Sequence, residues 1–185
     1  MEDKVRLKLV GISEIVGIDD VSLLALVDEA LERQLVVTCE KNMRKDFLMY
    51  LEKKKEANLR APKVLGRVLD DCGIHGLEVH ILSAQDGVYE TNIVETQHNK
   101  HFPIRCSDGV LFSVAARVPL YAPAWLMESH SVPFSPDGDR VGLPLTALSE
   151  SMLRLALNKA IEAEDYELAS NLRDELNKRH SNNEE

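Results

Sequence analysis

The last part of the chain limits its fold most strongly, because residues 152–179 have the pattern of two short helices joined by a tight turn. Apolar residues recur every three or four positions in each helix, which gives each helix one apolar face. They are Leu153, Leu157, Ala160 and Ala163 in the first helix and Ala169, Leu172 and Leu176 in the second. Two helices of this size enclose too small a core to fold alone, so we expect them to dock onto another surface.

The predicted turn occupies residues 163–165. Asp165 is a suitable N-cap for the second helix, because its carboxylate can accept hydrogen bonds from the free amides of the first turn. Glu167 adds negative charge near the positive end of the helix dipole. Local capping chemistry therefore explains the turn without a functional site.

The run from Ala163 to Ala169, followed by residues 172–176, resembles the UVR motif, a helical hairpin of the B and C subunits of the bacterial UvrABC excision nuclease. In that family the hairpin binds another copy of itself. The resemblance implies a protein partner or self-association through residues 148–181, and hence a homo-oligomer. The alternative is a generic charged C-terminal hairpin, since such helical patterns are common.

Composition sets limits on the rest of the chain. Its 185 residues are enough for one domain with an appended hairpin. The net charge of −9 argues against a surface that attracts nucleic acid everywhere, so any polyanion site must be local. The N-terminus alternates in charge and no long apolar run follows, so we expect a cytoplasmic protein with no membrane partner.

The three cysteines, Cys39, Cys72 and Cys106, are widely spaced and form no CxxC pair. This usage is typical of reduced thiols in a cytosol. We expect all three to be small buried residues.

Upstream of the hairpin, the pattern alternates between strands and helices. Strands are predicted at residues 5–9, 21–27, 35–38, 77–82, 88–94, 102–106 and 118–121, and helices at 42–56, 62–72 and 107–117. The second helix is expected to bury Val64, Leu65, Val68, Leu69 and Cys72, and the first Met43, Phe47 and Leu51. This order predicts an α+β fold: a duplicated strand-strand-strand-helix unit forming a mixed sheet with packed helices, plus the C-terminal α-helical hairpin.

Prolines and a turn signal interrupt the chain between the last predicted strand and the hairpin. Pro133, Pro136, Pro144 and the turn at 135–139 are typical of a linker or an extended arm. The predicted organisation is therefore a domain over residues 1–128, a linker over 129–147 and the hairpin over 148–181.

The candidate catalytic residues lie where a predicted strand meets a predicted helix. Ser107 is a suitable N-cap, and Asp108 places a carboxylate at a corner where exposed amides can hold a phosphate. Arg105 can direct a bidentate donor toward the same edge. Cys39 and Glu40 stand at the equivalent junction of the first half. The alternative is a capped helix with an arginine nearby.

Residues 104–115, followed by Val118-Pro119-Leu120-Tyr121, are similar to the core signature of the bifunctional nuclease family. That family usually has Asp-Ala-Arg-Pro-Ser-Asp-Ala, then an apolar helix, then Pro-Ile-Tyr; the segments 3–12 and 86–89 fit it too, and a UVR-like hairpin is a known companion. The resemblance implies metal-dependent hydrolysis of RNA and DNA. It places Arg105, Ser107 and Asp108 in the catalytic site, with Asp108 as ligand of Mg²⁺ or Mn²⁺.

The chain also departs from that family pattern. Pro103 replaces the leading acid, Cys106 replaces the proline, and residues 60–65 lack the Thr-His-Asp set. A two-metal nuclease needs several carboxylates to hold its ions, and Asp108 is the one that stays in place. The alternative function is a catalytically silent regulatory module that binds nucleic acid or protein.

One segment is basic within this acidic chain. Residues 41–67 hold nine basic and three acidic residues, a local charge of +6. The residues predicted to contact nucleic acid are Lys41, Arg44, Lys45, Arg60, Lys63 and Arg67. Contact with a phosphate backbone is one interpretation. The other is the solvated faces of two helices.

Overall fold

The protein is described by a computed structural model over residues 3–15, 18–135, 145 and 148–182. The strands are β1 (Lys4–Ile15), β2 (Ile18–Asp28), β3 (Arg33–Glu40), β4 (Leu77–Gln85), β5 (Val88–Glu95), β6 (Lys100–Pro103), β7 (Leu120–Pro123) and β8 (Val132–Pro133). The helices are α1 (Arg44–Leu51), α2 (Ala61–Asp71), α3 (Cys106–Ala116), α4 (Ala124–His130), α5 (Glu150–Glu162) and α6 (Tyr166–Asn182). Single 3-10 segments, Lys41–Met43 and Lys55–Leu59, flank α1.

The eight described strands form one mixed sheet in the order β6-β5-β4-β7-β1-β2-β3-β8. Two antiparallel meanders, β1-β2-β3 and β4-β5-β6, are each followed by helices. They are joined by β7, which runs antiparallel to β1 and parallel to β4. The predicted α+β fold, with two three-stranded units and a C-terminal hairpin, is confirmed.

The sheet is strongly curled, as one hydrogen bond shows. Tyr89 on β5 donates its hydroxyl to the carbonyl oxygen of Val36 on β3, at 3.0 Å. These strands lie five places apart in the sheet, which in a flat sheet would separate them by about 24 Å at ~4.8 Å per strand. The sheet therefore bends until its two meanders face each other.

The helix α3 lies in the concave side of this sheet and is buried around most of its circumference. A Cβ on Gly109 would lie 3.1 Å from Val79 and 3.2 Å from Thr91, so glycine lets the helix approach β4 and β5 closely. On the opposite side, a Cβ on Gly66 of α2 would lie 2.5 Å from the Cβ of Ala116. The core is thus built around α3, with α2 packed outside it.

The helix predicted at 42–56 is wrong in length, because α1 spans only Arg44–Leu51. Lys53 has a φ of 54°, in the left-handed region that ends a helix. Met43 and Phe47 are buried as predicted, whereas Leu51 is only half-buried. The hydrophobic pattern continued past the point where the backbone turns.

The prediction that α2 buries its apolar face is wrong. Val64, Leu65 and Val68 are 40%, 49% and 49% exposed, and Cys72 is exposed as well. Leu69 is partly buried against the core. The reason is that α3 fills the concave side of the sheet, so α2 contacts the core through one edge.

Three further boundaries differ from the sequence prediction. The strand predicted at 102–106 is β6, which ends at Pro103, and Cys106 is the first residue of α3. The last predicted strand, 118–121, is β7 at Leu120–Pro123. Proline lacks the N–H that a strand pairs with, and this explains why β6 stops at Pro103.

After β7, the chain continues into α4 and β8, which the sequence pattern did not indicate. Strand β8 pairs with β3, and the N–H of Phe134 donates to the carbonyl of Glu32 at 2.8 Å. The start of the predicted linker is therefore held on the sheet. Residues 136–144, 146 and 147 lie outside the described residues, so the linker stays a prediction there.

The helices α5 and α6 form the predicted hairpin, with a small core separate from that of the sheet. Its buried residues are Leu148, Leu153, Ala160, Ala169, Leu172 and Leu176. The predicted cap is present, because the N–H of Leu168 donates to the Asp165 carboxylate at 3.1 Å. Ala163, which was placed on the apolar face of the first helix, is the C-cap of α5 and is exposed.

The hairpin is fixed at its base by a buried arginine and by the β4–β5 turn. Arg179 donates to the carbonyls of Leu148 and Leu145 at 2.7 and 3.1 Å. A Cβ on Gly87 would lie 2.5 Å from the Leu148 carbonyl oxygen and 2.7 Å from the Ser149 nitrogen, so the turn touches the start of the hairpin. None of the helices in the described ranges is long and apolar enough to cross a membrane.

Candidate nucleic-acid interface

The curl of the sheet brings the two equivalent strand-to-helix junctions together. Arg105, at the N-cap position of α3, donates to Asp108 at 2.7 Å and to Glu40, the last residue of β3, also at 2.7 Å. We call Glu40, Arg105 and Asp108 the junction cluster. One guanidinium therefore links a carboxylate from each half of the domain.

The junction cluster is accessible to solvent. The side chains of Glu40, Arg105 and Asp108 are 57%, 62% and 36% exposed. The hydrogen bonds from Arg105 to Asp108 and then Glu40 raise the pKa of the arginine, so the guanidinium stays charged. Two carboxylates around one guanidinium leave this cluster with a net charge of about −1.

The structure places Ser107 differently from its predicted position. It lies inside α3, is buried, and is not the N-cap; α3 has no side-chain cap hydrogen bond. The helix begins one residue earlier than predicted, at Cys106. Arg105 and Asp108 are therefore brought together with Glu40, and Ser107 is part of the packed helix.

The two cysteines beside the junction cluster are buried and free. Burial raises the pKa of the Cys39 thiol, helped by the negative charge of Glu40, to about 12. Burial likewise raises the pKa of the Cys106 thiol to about 12. Both thiols are neutral near pH 7 and serve as small apolar residues, as predicted. The expectation for Cys72 is wrong, since it is exposed.

A groove beside the junction cluster is lined by the basic first turns of α1. We call it the α1 groove; it has a volume of about 450 Å³ and is lined by Lys41, Arg44, Lys45, Leu48, Met49, Glu52, Lys54 and Glu56. Lys41 follows Glu40 directly in the chain, so the groove and the cluster are one residue apart along the chain. Its four basic and two acidic side chains give it a positive charge.

Not all of the predicted basic residues face this groove. Arg60 pairs with Asp46, which fixes α1 to the start of α2. Lys63 and Arg67 line a second pocket of about 480 Å³ between α2 and the end of α3, together with Arg117. We call this the α2–α3 pocket. The structure thus divides the basic segment between two separate surfaces.

The sequence prediction missed Glu40 and Arg117 as site residues. Glu40 had a usable signal, because it occupies the junction of the first half that corresponds to Arg105–Asp108 in the second. Arg117 had none, since it follows a buried helix and only the packing of α2 brings Lys63 and Arg67 beside it.

The junction cluster offers few ligands for a metal ion. Among the described residues there is no group of three or more His, Cys, Asp or Glu side chains that could hold one. Two carboxylates do converge on one cationic group, and Mg²⁺ often binds through one or two carboxylates, with waters and substrate phosphates completing its shell. The cluster supplies two carboxylates and does not form a closed protein cage.

The described structure is an α+β domain followed by a helical hairpin. Residues 23–135 match the bifunctional nuclease domain. The chain belongs to this family, which confirms the resemblance. Residues 153–178 match the UvrB/UvrC motif, which is the hairpin of α5 and α6. The two matches indicate a nuclease-like or nucleic-acid-binding domain with a motif for protein or DNA interaction. Comparison with individual curated proteins finds no match.

Proposed function

We propose that this protein binds nucleic acid along the α1 groove, with the junction cluster at one end of the bound strand. The observation that carries the proposal is the adjacency of the two features in the chain: β3 ends at Glu40 in the cluster, and the next residue, Lys41, lines the groove. Membership in the bifunctional nuclease family supports the same class of ligand.

The charge of the surface supports a phosphate backbone as the group that is bound. Lys41 and Lys45 are exposed at the groove, in a protein with a net charge of −9. Lys54 also lines it, but pairs with Glu52 at 2.7 Å, so its charge is partly compensated. Because the protein as a whole is acidic, a polyanion is attracted to the cationic α1 groove and repelled by the acidic surfaces. This favours one defined path for a nucleic-acid backbone.

Fluorescence anisotropy of the full chain with labelled oligo(dT) and oligo(U) tests this proposal at several salt concentrations. We expect the Lys41→Gln and Lys45→Gln double variant to bind several times more weakly, and its log–log salt slope to fall by roughly 0.7 for each lost contact to a single strand. The matched control is Lys8→Gln, which removes an exposed lysine on β1.

Unchanged affinity and slope in the double variant would remove the α1 groove from the interface. A wild-type protein that binds neither oligonucleotide at low salt would refute nucleic-acid binding as a whole. Equal losses in the double variant and in Lys8→Gln would mean that only net charge matters.

A second candidate function is metal-dependent phosphodiester hydrolysis at the junction cluster. Glu40 and Asp108 would hold the Mg²⁺ or Mn²⁺ ion, which would supply Lewis-acid activation of a phosphodiester. Arg105 would then release its two carboxylate partners and donate to a substrate phosphate instead. The specific observation that favours this candidate is that carboxylates from both halves of the domain, Glu40 and Asp108, pair with the same guanidinium, that of Arg105.

Cleavage of oligonucleotides by purified protein, with and without Mg²⁺ or Mn²⁺, separates the two candidates. Hydrolysis predicts metal-dependent cleavage that is lost in Asp108→Ala and in Glu40→Gln, and retained in the control Glu128→Gln on α4. Cleavage that survives Asp108→Ala would remove Asp108 from the mechanism. Salt-sensitive binding with no turnover in any metal would leave the protein as a binding module.

We also propose that the hairpin binds the hairpin of a second copy of this chain. Its turn end exposes apolar side chains: Ile161 is 52%, Tyr166 is 70% and Leu168 is 41% exposed. Exposed apolar residues on a motif that mediates protein interaction indicate a contact surface.

Sedimentation of the wild-type protein and of the Tyr166→Ser variant tests self-association through the hairpin. A wild-type protein that stays monomeric at high concentration would refute self-association.

A further inference from the structure

The α2–α3 pocket holds three basic side chains from different parts of the fold. Lys63 and Arg67 lie one turn apart on α2, and Arg117 follows the last residue of α3. Lys63 is half-buried, and both arginines are exposed. These residues converge only because Gly66 lets α2 pack directly on Ala116.

The acidic residues of the pocket already have other partners. Asp70 bonds to His75 at 3.0 Å. Glu78 bonds to Lys4 at 3.0 Å and to His80 at 2.6 Å. Burial opposes ionisation of Glu78, but these hydrogen bonds outweigh it and lower its pKa, so the carboxylate is charged and committed to them.

The three basic side chains have no such partners. Across the described part of the chain, no carboxylate lies within ion-pair distance of Lys63, Arg67 or Arg117. Three unmatched positive charges around one pocket are unusual on a protein with a net charge of −9. Such a pocket is suited to an anion that accepts several hydrogen bonds, and phosphate is the common biological case.

The backbone at Arg117 places a long charged side chain at the pocket. Its φ is 63°, the left-handed conformation that ends α3, where glycine is the least strained residue. A residue with a side chain costs stability at this position. Five other non-glycine residues of the described chain also have positive φ, so the charges that line the pocket, and not the backbone, indicate binding.

We propose that the α2–α3 pocket is a second phosphate site, which binds a backbone phosphate of the same nucleic acid through Lys63, Arg67 and Arg117. This inference rests on the proposed function. Asp108 and Arg117 lie near opposite ends of α3, about 14 Å apart along the helix at ~1.5 Å per residue. A footprint of roughly 4–16 nucleotides spans about 14–54 Å at ~3.4 Å per nucleotide, so one bound strand is long enough to cover this distance.

The test compares Arg117→Gly, Arg117→Gln and Arg67→Gln with the control Lys8→Gln, using oligo(dT) anisotropy over a range of salt. Each pocket variant is expected to lower affinity severalfold and to reduce the salt slope by about 0.7. Arg117→Gly is also expected to raise Tm by about 2 °C, because glycine relieves the left-handed backbone. A higher Tm together with a lower affinity for oligo(dT) in Arg117→Gly would separate a binding role of Arg117 from a structural one.

Two results would overturn the proposal while leaving the α1 groove intact. In the first, the Lys41 and Lys45 variants lose affinity and the pocket variants keep both affinity and slope. In the second, inorganic phosphate or AMP shifts the NMR signal of the Arg117 Nε–H group and the oligonucleotide does not, which would assign the pocket to small phosphates. A wild-type protein that fails to bind oligo(dT) at all would refute the proposed function and this inference together.

Discussion

The sheet domain and the hairpin each bury apolar side chains in a core of their own, and the two cores differ in size. The domain buries α3 inside a curled sheet, and its core draws on most of the strands and helices between β1 and α4. The hairpin has a core of six buried residues, closed at its base by Arg179 and the Leu148 carbonyl. The large core of the sheet domain can therefore hold a rigid site, whereas the small hairpin depends on contact with the sheet domain for part of its order.

The largest effects are expected from removing one core leucine from each region. Leu26→Ala in β2 and Leu172→Ala in α6 both delete fully buried side chains, and each is expected to cost about 2–5 kcal/mol in free energy of unfolding. Hydrogen exchange should show loss of protection throughout the sheet for Leu26→Ala and only in α5 and α6 for Leu172→Ala. If Leu172→Ala exposes the sheet as well, the two regions form one cooperative unit.

A smaller effect is expected at the contact between the two regions. Gly87→Ala adds a Cβ at a φ of 75° and against the backbone of Leu148, so we expect a loss of about 2–3 kcal/mol. Hydrogen exchange should increase at the start of α5. The matched control is Gly11→Ala, because a Cβ there meets nothing within 4 Å and stability should change little.

The base of the hairpin provides the next test. Arg179→Met keeps the length of the side chain but leaves the carbonyls of Leu148 and Leu145 without their donor and Glu175 without its partner. We expect a loss of about 1–3 kcal/mol, measured by chemical denaturation. Arg154→Met is the control, since its pair with Glu150 is exposed and of little value. Equal effects of both changes would show that burial of Arg179 is unimportant.

The smallest effect concerns the thiols. Iodoacetamide at about pH 8 should label Cys72 in the folded protein and leave Cys39 and Cys106 unmodified, because thiolates react and buried thiols stay neutral.

The raised pKa values of Cys39 and Cys106 also predict that the stability of the protein changes with pH. Below about pH 9 both states keep these protons, and the stabilisation is complete; as pH rises from 9.0 toward about 12, the unfolded thiols ionise first and stability falls.

Mass spectrometry of intact and digested protein measures the labelling, and denaturation at several pH values measures the stability. The Cys72→Ser variant should leave no rapidly labelled thiol. Rapid labelling of Cys106 in that variant would show that α3 opens more readily than its burial implies.

Sequence reasoning succeeded where the signal is local. The hairpin was predicted from apolar spacing and from the cap at Asp165, and both are present. The turn between β4 and β5 is also local: Asp86-Gly87 is a common hairpin sequence, and both residues have positive φ values, 51° and 75°. Turn and cap chemistry depends on neighbouring residues alone, so it can be recognised in a sequence.

Prediction failed where a second element decides the outcome. The amphipathic pattern of α2 indicated a buried face, yet α3 takes the place inside the sheet and α2 stays half outside. The same limit applies to the site: Arg105 and Asp108 were predicted, and Glu40 was placed at the equivalent junction of the first half, but its contact with Arg105, 65 residues away, was not predicted. No local pattern records a contact that only the curl of the sheet creates.

The sequence by itself determined the order of strands and helices, the two strand-to-helix junctions, the capped hairpin and the basic segment at 41–67. The tertiary structure alone decided that the junctions meet at Arg105 and that the basic segment divides between the α1 groove and the α2–α3 pocket. The physical reason is that propensity and capping act over a few residues, whereas the sheet must bend to enclose α3, and that burial brings distant charges together.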